Sequence, residues 1–280
     1  MKKKKSRERP GKGSKGPDEG LLIPGFHTVR EALDIRPAAL LEVWVSEDKR
    51  SQRLRSIREI AAEKGIPVRE IPREEFDRRL PGVAHQGVAA RAREMPAVGL
   101  ETVAQKADGG LRCRLVIAAD HITDEGNLGA MIRTAAFFGA DALLLPRDRS
   151  AGITGRVVKS SAGASLFLPT VQVVNLSRAL DFLIQEGFWV IGAAGEAEAS
   201  VYDFDWNRDT VLVMGREERG ISPNVRARCH QLVAVPGCGR VESLNVSVAA
   251  GVILSEIQRQ RAKKAAGFED SMHCEKEGSS

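Results

Sequence analysis

Leu115 to Phe138 reads LVIAADHITDEGNLGAMIRTAAFF, and the way this stretch divides decides the fold. Leu115 to Ala119 is an unbroken apolar run, the pattern of a strand covered on both faces rather than one with a wet side. Asp120 to Gly126 is polar. Asn127 to Phe138 then carries Leu128, Met131, Ile132 and Ala135 at helical spacing, with Asn127 placed as the N-cap. Arg133 lies about 140° around that helix from Leu128, so it faces away from the core. A buried strand, a polar loop at its carboxyl end and an amphipathic helix make one βα unit, and open α/β sheets bind ligands along that carboxyl edge.

Working outward, the same alternation repeats. Strands are expected at Ala142 to Leu145, Val171 to Val174, Trp189 to Ala193, Val211 to Met214 and Leu232 to Val235. Helical patterns fall at Leu176 to Glu186, Pro223 to Cys229 and Leu244 to Arg261, after which the chain turns polar and reads as a frayed tail. Such alternation implies a mostly parallel sheet with helices on both faces. Upstream, His27 to Leu33 and Arg53 to Lys64 read as helices, and Leu41 to Val45, Ile66 to Ile71 and Gly87 to Arg91 as strands. This smaller α/β unit spans 21–94. The segment 95–112, with Pro96, Gly99, Gly109 and Gly110, reads as a linker holding one short helix. The larger unit covers 113–262, between that linker and a polar tail at 263–280.

Composition narrows the class. The 280 residues are 42% hydrophobic and 28% charged, ordinary for a globular protein, and no run of about 18 uncharged apolar residues suggests a membrane span. No signal-peptide pattern follows the basic start, so a cytoplasmic location is expected. Cys113, Cys229, Cys238 and Cys274 form no CxxC pair and read as free thiols. His27, His85, His121, His230 and His273 are far apart, and no metal site is expected; His85, beside Gln86 and Gly87, reads as a turn support or an RNA contact. Residues 1–20 hold eight Lys/Arg against three acids, an excess equal to the net charge of +5 of the whole chain. They read as a disordered basic tail, suited to a polyanion or simply to solubility.

Two further segments place polar residues at the carboxyl end of an expected strand. Val211 to Ser222 (VLVMGREERGIS) puts Gly215 where a ligand could approach the backbone, with Glu217 in the following turn. Val233 to Ser247 (VAVPGCGRVESLNVS) passes from a strand through a glycine-rich loop into a helix, where Ser243 and Asn245 have the chemistry of a cap. A nicotinamide-dependent oxidoreductase is disfavoured, because no GxGxxG follows the first strand and Gly192-Ala193-Ala194-Gly195 does not fit that pattern.

Together, in this order, the three segments resemble the three motifs of the SpoU/TrmH RNA 2′-O-methyltransferases: NxGxxxR at Asn127 to Arg133, MGxExxG at Met214 to Gly220 and SLNVSVA at Ser243 to Ala249. The resemblance extends through Lys159 to Ala164 (KSSAGA). Upstream, Gly25 to Val29 and His85 to Gly87 resemble the substrate-binding domain of the bacterial 23S rRNA guanosine-2′-O-methyltransferases. The resemblance implies a deep trefoil knot in the larger unit, a homodimer formed through it, S-adenosylmethionine as cofactor and RNA, chiefly 23S rRNA, as partner. It implies that Gly215, Val235 and Leu244 hold the cofactor through main-chain atoms, with Gly195 as a fourth position. It also implies that Arg133 activates the ribose hydroxyl while Asn127, Glu217, Ser243 and Asn245 complete the site. An arginine is a poor base, so two versions stand: transient loss of its proton, or a lasting cation that stabilises the alkoxide. A tRNA substrate and a non-catalytic RNA binder are the rival readings.

Overall fold

The computed structural model describes residues 20–47, 51–93, 98–105, 112–239, 241 and 243–277. The expected basic tail up to residue 19 and most of the expected linker lie outside them.

The smaller unit runs β1 (Leu21–Pro24), α1 (Phe26–Ile35), β2 (Leu40–Ser46), α2 (Gln52–Glu63), β3 (Val68–Ile71), α3 (Arg73–Arg79) and β4 (Val88–Ala92). Its sheet has the order β1-β4-β2-β3, with β2 and β3 parallel and the other pairs antiparallel. Val29, Leu33, Leu54 and Ile57 fill the space between the sheet and helices α1 and α2. The sequence reading lacks β1 and α3. β1 is only four residues long, and α3 buries Phe76 alone among charged neighbours, so neither carries a periodic pattern.

The larger unit runs α4 (Leu100–Ala104), β5 (Leu115–Ala119), α5 (Glu125–Phe137), β6 (Ala142–Pro146), α6 (Gly155–Ser160), β7 (Thr170–Val173), α7 (Leu176–Gln185), β8 (Trp189–Ala193), β9 (Thr210–Met214), α8 (Pro223–Arg226), β10 (Gln231–Val233) and α9 (Val246–Glu277). Six strands lie in the order β10-β8-β9-β5-β6-β7, and every pair is parallel. Successive side chains of a strand point to opposite faces. Leu115, Ile117 and Ala119 accordingly pack with α5 and α9, while Val116 and Ala118 pack with α7 and α4. Burial on both sides is what the apolar run at Leu115 demanded.

The largest boundary difference from the sequence reading is at the end of the last helix, while β3, β10, α5, α8 and the start of α9 shift by two or three residues. α9 does not end at Arg261 but continues to Glu277. Lys263, Lys264, Ala265 and Ala266 are strong helix formers and no proline interrupts them, so the polar stretch continues the helix rather than forming a tail. Within α9, Arg261 reaches back to the amino ends of the strands. Its guanidinium donates to the main-chain carbonyls of Cys113, Arg114, Trp206 and Arg208 at 2.8–3.2 Å. Burial lowers its pKa.

α6 and the turn after it join the two units. Val158 and Leu166 belong to the core of the smaller unit, Arg36 Nη1 donates to the Leu166 carbonyl at 2.8 Å, and Lys159 Nζ donates to the Ala84 carbonyl at 3.0 Å. α6 also presses on α5 at Gly129, where a Cβ would stand 1.9 Å from Ser160 Oγ, 2.8 Å from Ser160 Cβ and 3.0 Å from the Ser161 nitrogen. Among the described residues no helix is long and apolar enough to cross a membrane.

Gly129→Ala should therefore force α5 and α6 apart and cost about 1–3 kcal/mol, read as a lower urea midpoint at unchanged slope. A midpoint equal to that of the parent protein would contradict this packing. A second expectation concerns Cys229, whose thiol is pushed up to about 11 by burial. At pH 8 roughly a thousandth of it is thiolate, so N-ethylmaleimide should label exposed Cys238 well before Cys229 in peptide maps. Equal labelling would show that the Cys229 pocket opens.

Candidate active site

The strand order assembles the site. β10, β8, β9 and β5 are neighbours and parallel, so the loops leaving their carboxyl ends lie side by side. Those loops contain Gly195, Gly215, Val235 and the segment after Asp120, which are far apart in sequence. The main-chain N–H groups of Gly195, Gly215, Val235 and Leu244 make no hydrogen bond among the described residues. A ligand with an adenine edge or a carboxylate would find donors there without any charged side chain.

Gly215 is buried, but the close approach at it is internal. A Cβ would lie 2.4–2.6 Å from the backbone of Gly220 and Ile221, because the turn Arg216 to Gly220 folds back onto the strand end. The glycine is thus required by the turn that carries Glu217, a different reason from the ligand contact expected in sequence.

Glu217 is the centre of the polar cluster. Its Oε1 accepts from Asn127 Nδ2 at 2.9 Å, from Asn245 Nδ2 at 2.6 Å and from the Val246 N–H at 3.4 Å. Asn245 Nδ2 also donates to Asn127 Oδ1 at 2.9 Å, while its Oδ1 accepts from the Ser247 N–H and hydroxyl and so caps α9. All three expected motifs meet in this hydrogen-bonded set. Glu217 Oε2 makes no hydrogen bond among the described residues and faces a cleft of about 410 Å³ bounded by Ile122, Asp124, Asn127, Gly215 and Val246. A free carboxylate oxygen held this firmly can accept from a sugar hydroxyl and orient it.

Other expected positions fall elsewhere. Ser243 and Leu244 are exposed just before α9 and make no hydrogen bond among the described residues, so only Asn245 of the two expected cap residues caps. Asn127 is not the cap of α5. Asp124 holds that place, its Oδ1 accepting from the Asn127 N–H at 2.7 Å, which frees the Asn127 side chain for Glu217. Arg133 is exposed, without a partner among the described residues, and lies six residues beyond Asn127, about 9 Å along the helix axis. It opens into a different cleft, between the two units. His85 holds a turn: its Nδ1 accepts from the Gly87 N–H at 3.1 Å and its Nε2 pairs with Asp77 at 3.0 Å.

Sequence reasoning passes over Asp120. Its carboxylate is 1% exposed and accepts from the Ser222 N–H at 2.6 Å and from His121 Nδ1 at 2.5 Å, tying the end of β5 to the loop of Glu217. A lone acid directly after an apolar strand is the available signal. Among the described residues no group of three or more His, Cys, Asp or Glu could hold a metal ion.

Comparison with known proteins agrees with this geometry. The profile of the SpoU rRNA Methylase family matches residues 114–255, and that of the RNA 2′-O ribose methyltransferase substrate-binding domain matches 22–96. The 23S rRNA (guanosine-2′-O-)-methyltransferase RlmB of Pseudomonas putida is 40% identical over 242 residues, covering 86% of this chain and 97% of that protein. The enzyme of the same name from Coxiella burnetii is 37% identical, covering 87% of this chain and 97% of its own. Among solved structures, the SpoU methyltransferase AviRb of Streptomyces viridochromogenes, crystallised with the cofactor AdoMet, superposes with a TM-score of 0.70 at 24% identity, over 88% of this chain and 92% of its own. With its two sheets, its three converging motifs and relatives matched over nearly their whole length, the chain belongs to the SpoU rRNA methylase family.

Proposed function

We propose that this protein transfers the methyl group of S-adenosylmethionine to the 2′-hydroxyl of a guanosine ribose in 23S rRNA. The observation that carries this reading is the Asn127–Glu217–Asn245 cluster, set beside unpaired main-chain N–H groups at the carboxyl ends of parallel strands. The near full-length relatives named as 23S rRNA (guanosine-2′-O-)-methyltransferases supply the substrate class. Residues 21–94 act as the RNA-binding unit and 113–262 as the catalytic unit, at work in the cytoplasm. A trefoil-knotted catalytic unit is part of the same reading and rests on membership of the SpoU rRNA Methylase family.

The residues divide the work. Gly195, Gly215, Val235 and Leu244 would hold the cofactor by their main chains, and the bound cofactor supplies an electrophilic methyl on a sulfonium. Glu217 Oε2 and the remaining Asn127 N–H orient the ribose, with Ser243 at the rim. As the new O–CH₃ bond forms and the S–CH₃ bond breaks, the hydroxyl proton leaves to water or an RNA phosphate. Arg133 stays cationic and offsets the negative charge growing on the oxygen, which fits the permanent charge of a guanidinium better than a role as base.

The protein forms a homodimer through the catalytic unit. Phe137 on α5 is 82% exposed and Val248 on α9 is 51% exposed, and both flank the contact of Thr134 with Gly251 between these helices. A dimer mass by light scattering, reduced toward the monomer by Phe137→Glu, is expected; a monomeric parent protein would refute it.

With radiolabelled cofactor and unmodified 23S rRNA, 16S rRNA or bulk tRNA, label should enter 23S rRNA alone, at one alkali-resistant guanosine. Arg133→Ala should lower transfer roughly 100-fold or more while cofactor binding is retained. Label on tRNA would overturn the substrate, and full turnover in Arg133→Ala would overturn the role of that residue.

A further inference from the structure

The cleft into which Arg133 opens has a volume of about 780 Å³ and is walled by both units, with His27, Thr28 and Arg30 on one side and Lys159 on the other. Its floor is the start of α1. Gly25 precedes the helix at φ 100°, a conformation that excludes other residues, and no side chain caps the helix. The first intrahelical bond is made by the Val29 N–H to the Gly25 carbonyl, so the N–H groups of Phe26, His27 and Thr28 are left without helical acceptors. An uncapped start of this kind carries about half a positive charge.

A second, independent feature points to a ligand. Thr28 is 4% exposed, lines the cleft, and its hydroxyl makes no hydrogen bond among the described residues. The residue is otherwise enclosed, so what exposure its hydroxyl keeps is toward the cleft, where it can donate to a ligand oxygen.

One cation, Lys159, stands close to this helix start, and Arg133 lines the same cleft. The Ala84 carbonyl is 3.0 Å from Lys159 Nζ and 3.8 Å from where a Cβ of Gly25 would stand, which places the ammonium beside the helix start. The segment carrying Lys159 is fixed there, because a Cβ at Gly163 would lie 3.6 Å from the Thr28 carbonyl oxygen. Arg30 is paired with Asp34 at 3.1 Å, so these two cancel. Glu31 remains as the opposing charge, against Lys159, Arg133 and the helix start.

We propose that the first turn of α1, with the Thr28 hydroxyl and Lys159, binds a phosphodiester of the RNA strand and so delivers the adjoining ribose to Arg133. This inference rests on the RNA-methyltransferase reading and names the backbone contact that serves it. The anion lies on N–H groups that require no particular base, so the contact sets register rather than sequence. The motif from Lys159 to Ala164 thereby gains a double role, docking the catalytic unit on α1 and lending its lysine to the site.

Two substitutions test it on the full chain. Thr28→Val removes a hydroxyl that bonds nothing in the protein and should leave thermal stability unchanged or higher. His27→Glu places an acid in the first turn, favourable for the helix but repulsive to a phosphate. Binding of a fluorescently labelled mixed-sequence RNA 20-mer would be followed by anisotropy from 50 to 200 mM salt. His27→Glu should weaken binding roughly tenfold and reduce the slope of log K against log salt by about 0.7, the value for one phosphate on a single strand, and Thr28→Val should weaken it less. Parental affinity and slope in both variants would overturn the proposal, as would failure of the parent protein to bind the RNA. Methyl transfer to 23S rRNA, measured alongside, separates the two ideas. Weakened binding in the variants with no transfer by the parent protein would refute the enzymatic reading and leave this site standing. Transfer with unaltered RNA binding and KM in the variants would do the reverse.

Discussion

One carboxylate oxygen, Glu217 Oε1, holds the carboxyl edge of the larger unit's sheet together. It takes hydrogen bonds from the first motif through Asn127 and from the third through Asn245 and the Val246 N–H. The donors come from two separate elements: Asn127 from the first turn of α5, and Asn245 and Val246 from the start of α9. Charge-assisted bonds of this kind are short and directional, and several converging on one atom fix three loops with a single side chain. The loops themselves are flexible by nature, so their common geometry depends on this joint. Gly215 and Asp120 serve the same end from below, the first by letting the turn close and the second by anchoring Ser222.

α5 borders two clefts. Its first turn faces the Glu217 cluster, while Arg133, further along, faces the cleft shared with the smaller unit. The helix thus sets the spacing between the Asn127–Glu217 cluster and the cleft that Arg133 lines. That spacing is rigid because Gly129 lets α6 lie directly on the helix, and α6 is also what ties the smaller unit down.

Much of this is legible in the sequence because burial on both faces and helical periodicity leave strong traces. β5 and β8 fall where their apolar runs place them, and the strand-helix alternation points to the parallel sheet with helices on both faces. Hydrogen bonds leave weaker traces. Asn127 and Asp124 are both good caps, and nothing in residue type alone says which one the helix uses and which is spent on Glu217. The end of α9 escapes a sequence reading because solvated helix and solvated tail share one composition. Asn127, Glu217 and Asn245 stand out in the sequence as cap or turn residues, and Asn245 does cap α9, but only the family resemblance groups them in one site, since their hydrogen bonds join segments 90 and 118 residues apart.

Arg261 carries an implication for how the molecule is built. Its four carbonyl partners lie at Cys113, Arg114, Trp206 and Arg208, up to 148 residues earlier in the chain. Those partners sit at the amino ends of two adjacent central strands, so the guanidinium can dock only after the strands have already paired. Until then the carbonyls stay hydrated. Closing so long a span is slow, since chain entropy is lost before any contact is gained. The arginine therefore acts as a latch across the amino ends of β5 and β9, joining segments that are distant along the chain.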